Sequence, residues 1–159
     1  MITAILFDIG DTLVRAAAPG TPVAALVPEP LPGVVRTVAA LARSFRLGAV
    51  TDTAVMTEAD VRAALAPTGL ADLLEVIVTS HDVGAAKPDP HGLLLALERL
   101  GVGPEHALFV GDADVDEGAA TAAGVAFARA GAGRDLGAVV HAVLTEHLGA
   151  FEAARRAVA

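Results

Sequence analysis

The 159-residue chain has no cysteine, no tryptophan and no tyrosine, and only one lysine. Without cysteine there can be no disulfide, no thiolate metal site and no cysteine nucleophile. Aromatic residues make up 3% of the chain, all of them Phe, so a core must be assembled from Ala, Val and Leu. Positive charge is also scarce. Eleven Lys and Arg face 19 Asp and Glu, a formal net charge of −8. That balance argues against nucleic acid or an anionic membrane as partner, since both need a basic footprint. No apolar run approaches a membrane span. The opening MITAILFDIGDTLV has no basic leader, and Asp8 interrupts its apolar run, so a soluble cytoplasmic protein is expected. A chain of this length suffices for one domain and needs no covalent or metal staple. Within the small cationic set, ten residues are Arg and the exception is Lys87. An Arg bias ordinarily follows codon composition. A lone lysine within it is either chance or a position where a planar guanidinium would not serve.

What is present is a regular alternation. Ile5–Phe7, Leu47–Val50, Val76–Val78, Ala107–Val110 and Val125–Phe127 are short, wholly apolar runs. They read as parallel strands covered on both faces. Helical patterns fill the intervals. Gly33 to Ser44 places Val34, Val35, Val38, Leu41 and Ala42 on one face. Thr57 is the expected N-cap of the next helix. Asp89-Pro90 opens a third that Gly101 stops. Asp116 to Ala123 forms a short small-residue helix closed by Gly124, and its Gly118, Ala119, Ala120, Ala122 and Ala123 suit close packing on a sheet. Asp135 to Ala159 carries Leu136, Val139, Val140, Val143, Leu144, His147, Leu148 and Phe151 at helical spacing, with Gly149 a weak point. Strand followed by helix, five times over, predicts a doubly wound α/β fold, a three-layer αβα sandwich around a five-stranded parallel sheet. Residues 1–159 are expected to form a single domain. It would carry a Pro-rich flap at about 15–32, a loop or hairpin with five prolines, and a C-terminal helix at about 135–158.

In such a sheet, ligands bind beyond the carboxyl ends of the strands. The residues falling there are Asp8, Gly10, Asp11 and Thr12, then Thr51 and Asp52, then Ser80 to Asp82 and Lys87-Pro88-Asp89-Pro90, and finally Gly111, Asp112, Asp114 and Asp116. Converging carboxylates repel one another unless a cation joins them. With oxygen donors alone, the cation that fits is Mg²⁺, which characteristically also holds a substrate phosphate. A carboxylate at such a site can act as nucleophile. Lys87 would neutralise the nucleophile and the transferred phosphoryl group, while Thr51 and nearby backbone N–H groups would hold phosphoryl oxygens.

FDIGDTLV, AVTD, KPDP and VGDADVDEGAATAAG together resemble, in order, the four signature motifs of the haloacid dehalogenase (HAD) superfamily, across Ile5 to Gly124. The resemblance implies a Mg²⁺-dependent hydrolase that takes a phosphorylated substrate. It implies Asp8 as nucleophile, Thr51 and Asp52 at the phosphate, Lys87 as the charge-stabilising lysine, and a metal held by Asp8, the Gly10 carbonyl and Asp112. Asp116 would be an additional ligand or a supporting acid, and it could equally be a helix N-cap. Asp52 could instead only shape its turn, and Asp114 is expected to face solvent. Phosphatases of the family carry a general acid/base two residues after the nucleophile, and here that position is Gly10. Asp11 is adjacent, but its side chain should leave the turn in another direction. The resemblance therefore implies a phosphatase acting through an aspartyl-phosphate at Asp8 without its usual acid. The alternative is a catalytically weak or inactive phosphate-binding or regulatory module. Carbon–halogen cleavage is disfavoured, because the intervals between the motifs leave no room for a cap domain. The site should be open, on a monomer or homodimer. The five histidines read as surface or packing residues, with His81 nearest the site.

Overall fold

The computed structural model describes residues 1–131 and 133–158. Five parallel strands, β1 (Ala4–Phe7), β2 (Arg46–Thr51), β3 (Val76–Thr79), β4 (Ala107–Gly111) and β5 (Ala126–Arg129), form one sheet in the order β3-β2-β1-β4-β5. Among the described residues, six α-helices connect and follow them: α1 (Val34–Leu41), α2 (Glu58–Leu65), α3 (Ser80–Val83), α4 (His91–Leu100), α5 (Asp114–Ala123) and α6 (Leu136–Val158).

The strand pleat explains why the runs are apolar throughout. Side chains alternate between faces, and here both faces are covered. Ile5, Phe7, Leu47, Ala49, Ile77, Leu108 and Val110 point to the side packed by α1, α2 and α6. Ala4, Leu6, Val50, Val76, Val78, Ala107 and Phe109 point to the side packed by α4 and α5. The small residues of α5 let it lie close: Ala119 and Ala120 are fully buried. Phe7 and Phe109 are the largest fully buried side chains, one on each face. Burying a side chain of that size contributes about 1.5–3 kcal/mol relative to exposure.

Local hydrogen bonds set the element boundaries, at Thr57 as the sequence predicts and at several others differently. Thr57 caps α2 through a reciprocal pair: its hydroxyl accepts from the Asp60 N–H, and the Asp60 carboxylate accepts from the Thr57 N–H. Pro90 is the N-cap of α4 rather than its first helical residue, and Gly101 ends that helix in the left-handed conformation. The helix expected from Asp116 begins at Asp114, so Asp116 is its third residue and not its N-cap. Ser80–Val83, to which the sequence assigned no element, is a single helical turn capped by the Thr79 hydroxyl on the Asp82 N–H. Asp135 caps α6, its carboxylate accepting the Ala138 N–H, and that helix runs through Gly149. Leu136 and Val140 are buried, Leu148 is half exposed, and the Phe151 side chain and Ala159 lie outside what is described.

The segment between β1 and α1 folds back on itself. Val14 bridges both Gly10 and Pro30, the Arg15 N–H donates to Glu29, and the Leu31 N–H donates to Leu13. Residues 16–28 thus stand as a flap whose base is tied beside the end of β1.

After β1 the chain moves outward through β2 to β3, then returns across the sheet to β4 on the other side of β1. The winding therefore reverses between β1 and β4. The crevice at that reversal is where an open α/β sheet offers a binding site. Asp8 directly follows β1, and Asp112 directly follows β4.

Candidate active site

Asp8 extends β1 by one step, its N–H donating to the Val110 carbonyl at 2.8 Å. This fixes the carboxylate at the crevice, where it is 8% exposed. Lys87, on the loop between α3 and α4, is equally buried. Its ammonium donates to Asp8 Oδ1 at 2.7 Å, to Asp116 Oδ1 at 2.6 Å and to the Val50 carbonyl at 3.3 Å. An ammonium has three N–H donors, and all three are used. The Phe109 ring lies 5.5 Å from Nζ and adds a cation–π contact. This compact three-way arrangement explains why the one lysine of the chain stands here: a guanidinium presents a planar fork that cannot reach these acceptors.

Asp116 is 1% exposed. Its Oδ2 accepts the Ala113 N–H at 3.0 Å, tying the carboxylate to the start of its own helix, while Oδ1 faces Lys87. Room for it comes from Gly111. A Cβ on that residue would lie 2.6 Å from the Asp116 Cβ, Cγ and Oδ2 atoms. Gly118 plays a similar part for the Lys87 loop, since a Cβ there would stand 2.9 Å from Pro88 Cβ.

Asp112 is half-buried and approaches Asp8 through Thr12. The buried Thr12 hydroxyl lies 3.4 Å from Asp8 Oδ2 and 3.3 Å from Asp112 Oδ1, and its single proton serves one of them at a time. Asp8, Asp112 and Asp116 each offer a carboxylate oxygen within 4.8 Å of the others. The donor set is hard, anionic and all-oxygen, which fits a divalent cation of the Mg²⁺ type. One ammonium offsets one of the three negative charges, leaving an excess for such a cation to neutralise.

Electrostatics agree with that picture. Burial pushes the Asp8 carboxyl up to about 7, with Asp116 adding repulsion and Lys87 pulling the other way. Burial works against the Lys87 ammonium too, but Asp8 and Asp116 outweigh it and hold its pKa above the ordinary lysine value.

The remaining sequence-named residues are placed as follows. Thr51 ends β2, half-buried, opposite Thr79 of β3. Asp52 is exposed, and its carboxylate accepts the Lys87 N–H at 3.2 Å. A carboxylate cannot donate to a phosphoryl oxygen, so this side chain positions the lysine loop. Gly10 lies at the flap base, bridged to Val14. Asp11 takes a positive φ of 56°, and its Oδ1 accepts the Ala16 N–H at 2.9 Å. It anchors the flap and does not join the acidic cluster. Asp114 is exposed and pairs with Arg129 at 3.0 Å. His81 contacts the Ala54 carbonyl on the loop after β2 and stays exposed. Thr12 and Gly111 had no assigned role in the sequence. For Thr12 the available signal was a hydroxyl within one helical turn of Asp8. For Gly111 it was a glycine ending a strand directly before two acids.

A groove of about 700 Å³ adjoins this cluster. Its floor includes Gly10, Thr51 and Asp52, and the flap and α2 form its walls. Among the described residues, no helix is long and apolar enough to cross a membrane.

Comparison with known proteins agrees with the geometry. Over 105 residues the chain is 40% identical to a phosphoglycolate phosphatase of Rhodospirillum rubrum, covering 62% of this chain and 42% of that protein. Over 94 residues it is 40% identical to a phosphoglycolate phosphatase of Escherichia coli, covering 58% and 36%. The chain thus spans less than half the length of these curated relatives. Solved structures share its fold, among them these two. A HAD-superfamily hydrolase from Geobacter sulfurreducens superposes with a TM-score of 0.70 at 20% identity, covering 81% of this chain and 89% of that one. A HAD phosphatase from Thermococcus onnurineus gives 0.69 at 22% identity, covering 84% and 88%. Residues 20–124 match the haloacid dehalogenase-like hydrolase family. That stretch starts beyond Asp8, yet the fold returns its Lys87, Asp112 and Asp116 to the Asp8 carboxylate, and on both grounds the chain belongs to the haloacid dehalogenase-like hydrolases.

Proposed function

We propose that the chain is a capless, cytoplasmic, Mg²⁺-dependent phosphatase that hydrolyses phosphate monoesters through an aspartyl-phosphate at Asp8. The observation that carries this reading is a buried carboxylate at the end of β1, bonded by the lone lysine at 2.7 Å and flanked by two further acids. The names of the curated relatives support the phosphatase class. Asp8, Asp112 and the Gly10 carbonyl would hold the metal, with Asp116 as a supporting acid already engaged by Lys87 and Ala113. Bound there, Mg²⁺ would neutralise charge on the phosphoryl oxygens and on the nucleophile.

The residues of the chain then divide the work. An Asp8 oxygen attacks phosphorus, and the bond from phosphorus to the ester oxygen breaks. Lys87 offsets the charge on Asp8 and on the transferred group. Thr51 donates its hydroxyl to a phosphoryl oxygen. The leaving oxygen takes its proton from solvent, because Gly10 supplies no acid. Water then attacks the phosphorus of the acyl phosphate. The bond to Asp8 breaks, inorganic phosphate leaves, and the proton of that water passes to solvent. Without a positioned acid/base, both steps forgo a factor of about 10²–10⁴.

The test is turnover of p-nitrophenyl phosphate with Mg²⁺, on wild type and Asp8→Asn together. Turnover is expected in wild type and should vanish in the variant and in EDTA. Equal rates in Asp8→Asn would overturn the mechanism. Gly10 also favours a second reading, a module that binds phosphate with Mg²⁺ and does not turn over. Tight binding of beryllofluoride, with no hydrolysis across a panel of esters, would select it.

A further inference from the structure

We propose that the groove beside Asp8 receives an uncharged aryl leaving group, so that the substrates of this chain are aryl phosphate monoesters and not carboxylate-bearing ones such as phosphoglycolate. The proposal rests on the phosphatase reading and adds the substrate class to it.

Two independent observations carry it. The first is the lining. From Gly10, Thr51 and Asp52, where the phosphoryl group would sit, the groove runs between the flap and α2. Leu26, Val27 and Pro28 line it from the flap, and Met56, Val61 and Leu65 line it from the other side. Its volume of about 700 Å³ is that of a small-molecule site. Among the described residues lining it, Arg15 is the one cation, and its guanidinium pairs with Glu29 at 3.4 Å. Counting Arg15, Glu29 and Asp52, the lining carries a net charge of −1. A second carboxylate on the substrate would enter an apolar, slightly negative groove with no free cation to meet it, and desolvating it there is costly. An aromatic ring would instead exchange water for aliphatic walls. The apolar surface continues outward at Val27, 88% exposed on the flap, and at Val55, 63% exposed on the loop after β2.

The second observation is Gly10. With no side-chain acid beside the ester oxygen, an alkoxide would have to leave unassisted. A phenoxide is the better leaving group, because phenols are far stronger acids than alkyl alcohols. The lining selects a ring by its shape and polarity, and the missing acid selects it by its chemistry.

Binding of non-hydrolysable phosphonates to the full wild-type chain with Mg²⁺, measured by calorimetry, tests this independently of turnover. Naphthylmethylphosphonate should bind about tenfold or more tighter than methylphosphonate. Phosphonopropionate, an isostere of phosphoglycolate, should bind no tighter than methylphosphonate. Leu26→Arg and Met56→Arg should each lower the naphthyl-to-methyl ratio to about threefold or less. Tighter binding of phosphonopropionate than of the naphthyl compound would overturn the proposal. So would a naphthyl advantage absent in wild type or undiminished in both variants, or no binding of any of the three. The phosphatase reading fails separately, by absent hydrolysis of p-nitrophenyl phosphate while the phosphonate ranking holds.

Discussion

Replacing Lys87 by Met removes one buried cation that bonds two buried carboxylates. Wild-type Asp8 and Asp116 are 8% and 1% exposed, and both depend on the same ammonium, at 2.7 and 2.6 Å. Deleting one member of a buried ion pair costs about 3–5 kcal/mol, because the stranded charge stays buried. Here two charges are stranded, but one of them can escape by taking a proton. The Asp8 pKa is already raised to about 7, and Lys87 opposes that rise. Losing Lys87 pushes it higher. A carboxyl raised from 3.8 in the unfolded chain takes up a proton on folding. Its contribution to stability is complete below its unfolded pKa and is lost as pH rises through its folded pKa. At about pH 5 the variant therefore carries a neutral Asp8 and a reduced deficit, which grows as pH rises toward and through the raised Asp8 pKa. Asp60 and Glu75, held below the usual carboxylate range by hydrogen bonds from Thr57 and Arg46, titrate at lower pH and do not enter this window.

For a chain of this size, about 3–5 kcal/mol corresponds to roughly 10 °C in melting temperature. The assay is thermal unfolding by circular dichroism in EDTA, for wild type and Lys87→Met, from about pH 5 to about pH 8. The gap should be roughly 10 °C at the alkaline end and clearly smaller at the acid end. Adding Mg²⁺ should narrow the alkaline gap, since a divalent cation replaces the missing charge. A variant melting within about 2 °C of wild type near pH 8 would refute the reasoning, as would a gap independent of pH.

Gly10→Asp should raise kcat on an alkyl phosphate by up to about 10²–10⁴-fold and on p-nitrophenyl phosphate by less. The added Cβ meets only Ala16, at 3.7 Å, and a rate unchanged on both esters would count against a missing acid. Gly111→Ala should cost about 1–3 kcal/mol in urea unfolding, because its Cβ would stand 2.6 Å from the Asp116 side chain. An unchanged midpoint would show that Asp116 moves aside freely. Mg²⁺ should raise the melting temperature of wild type more at about pH 8 than at about pH 5, since the metal must displace the Asp8 proton. Equal increments would mean that Asp8 is not among the ligands.

The fold was legible because each strand is apolar on both faces, so no alternation had to be resolved, and because Thr57, Gly101 and Gly124 punctuate the helices unambiguously. The strand ends then placed Asp8, Thr51, Lys87 and Asp112 along one edge. The sequence pointed to Lys87 beside Asp8, but the further contacts among them were beyond reach. Nothing in the KPDP spelling says that Lys87 meets Asp8 and Asp116 together, or that Thr12 stands between Asp8 and Asp112. Asp116 was ambiguous because helix caps and ligands draw on the same residue types. It proved to be a carboxylate at the third helical position, in the first turn of α5, reaching back to the Ala113 N–H, a role the sequence spacing also permits. The short α3 turn was hidden by its length, since four residues cannot display a helical period.

The order of Gly10 and Asp11 ties these threads together. Position 11 lies in the left-handed region at φ 56°, where glycine is at ease and another residue pays roughly 1–2 kcal/mol. Position 10 carries no such constraint, and a side chain there would find ordinary contacts. The residue types thus stand in the reverse of the order that backbone conformation alone would favour. Asp11 recovers part of the strain by accepting the Ala16 N–H at 2.9 Å, which pins the flap at its base. The carboxylate that could have delivered a proton from position 10 instead holds the flap wall of the groove from position 11. On the proposed reading, proton delivery is given up at the same step of chain that fixes the apolar wall, and both features would favour the same substrates: esters whose alcohol leaves readily and whose body is an uncharged ring. Exchanging the two residues, Gly10→Asp with Asp11→Gly, should therefore move both properties at once, raising turnover of alkyl esters while weakening the preference for naphthylmethylphosphonate. If turnover rises and that preference stays intact, Asp11 does not hold the groove wall, and the two observations are unconnected.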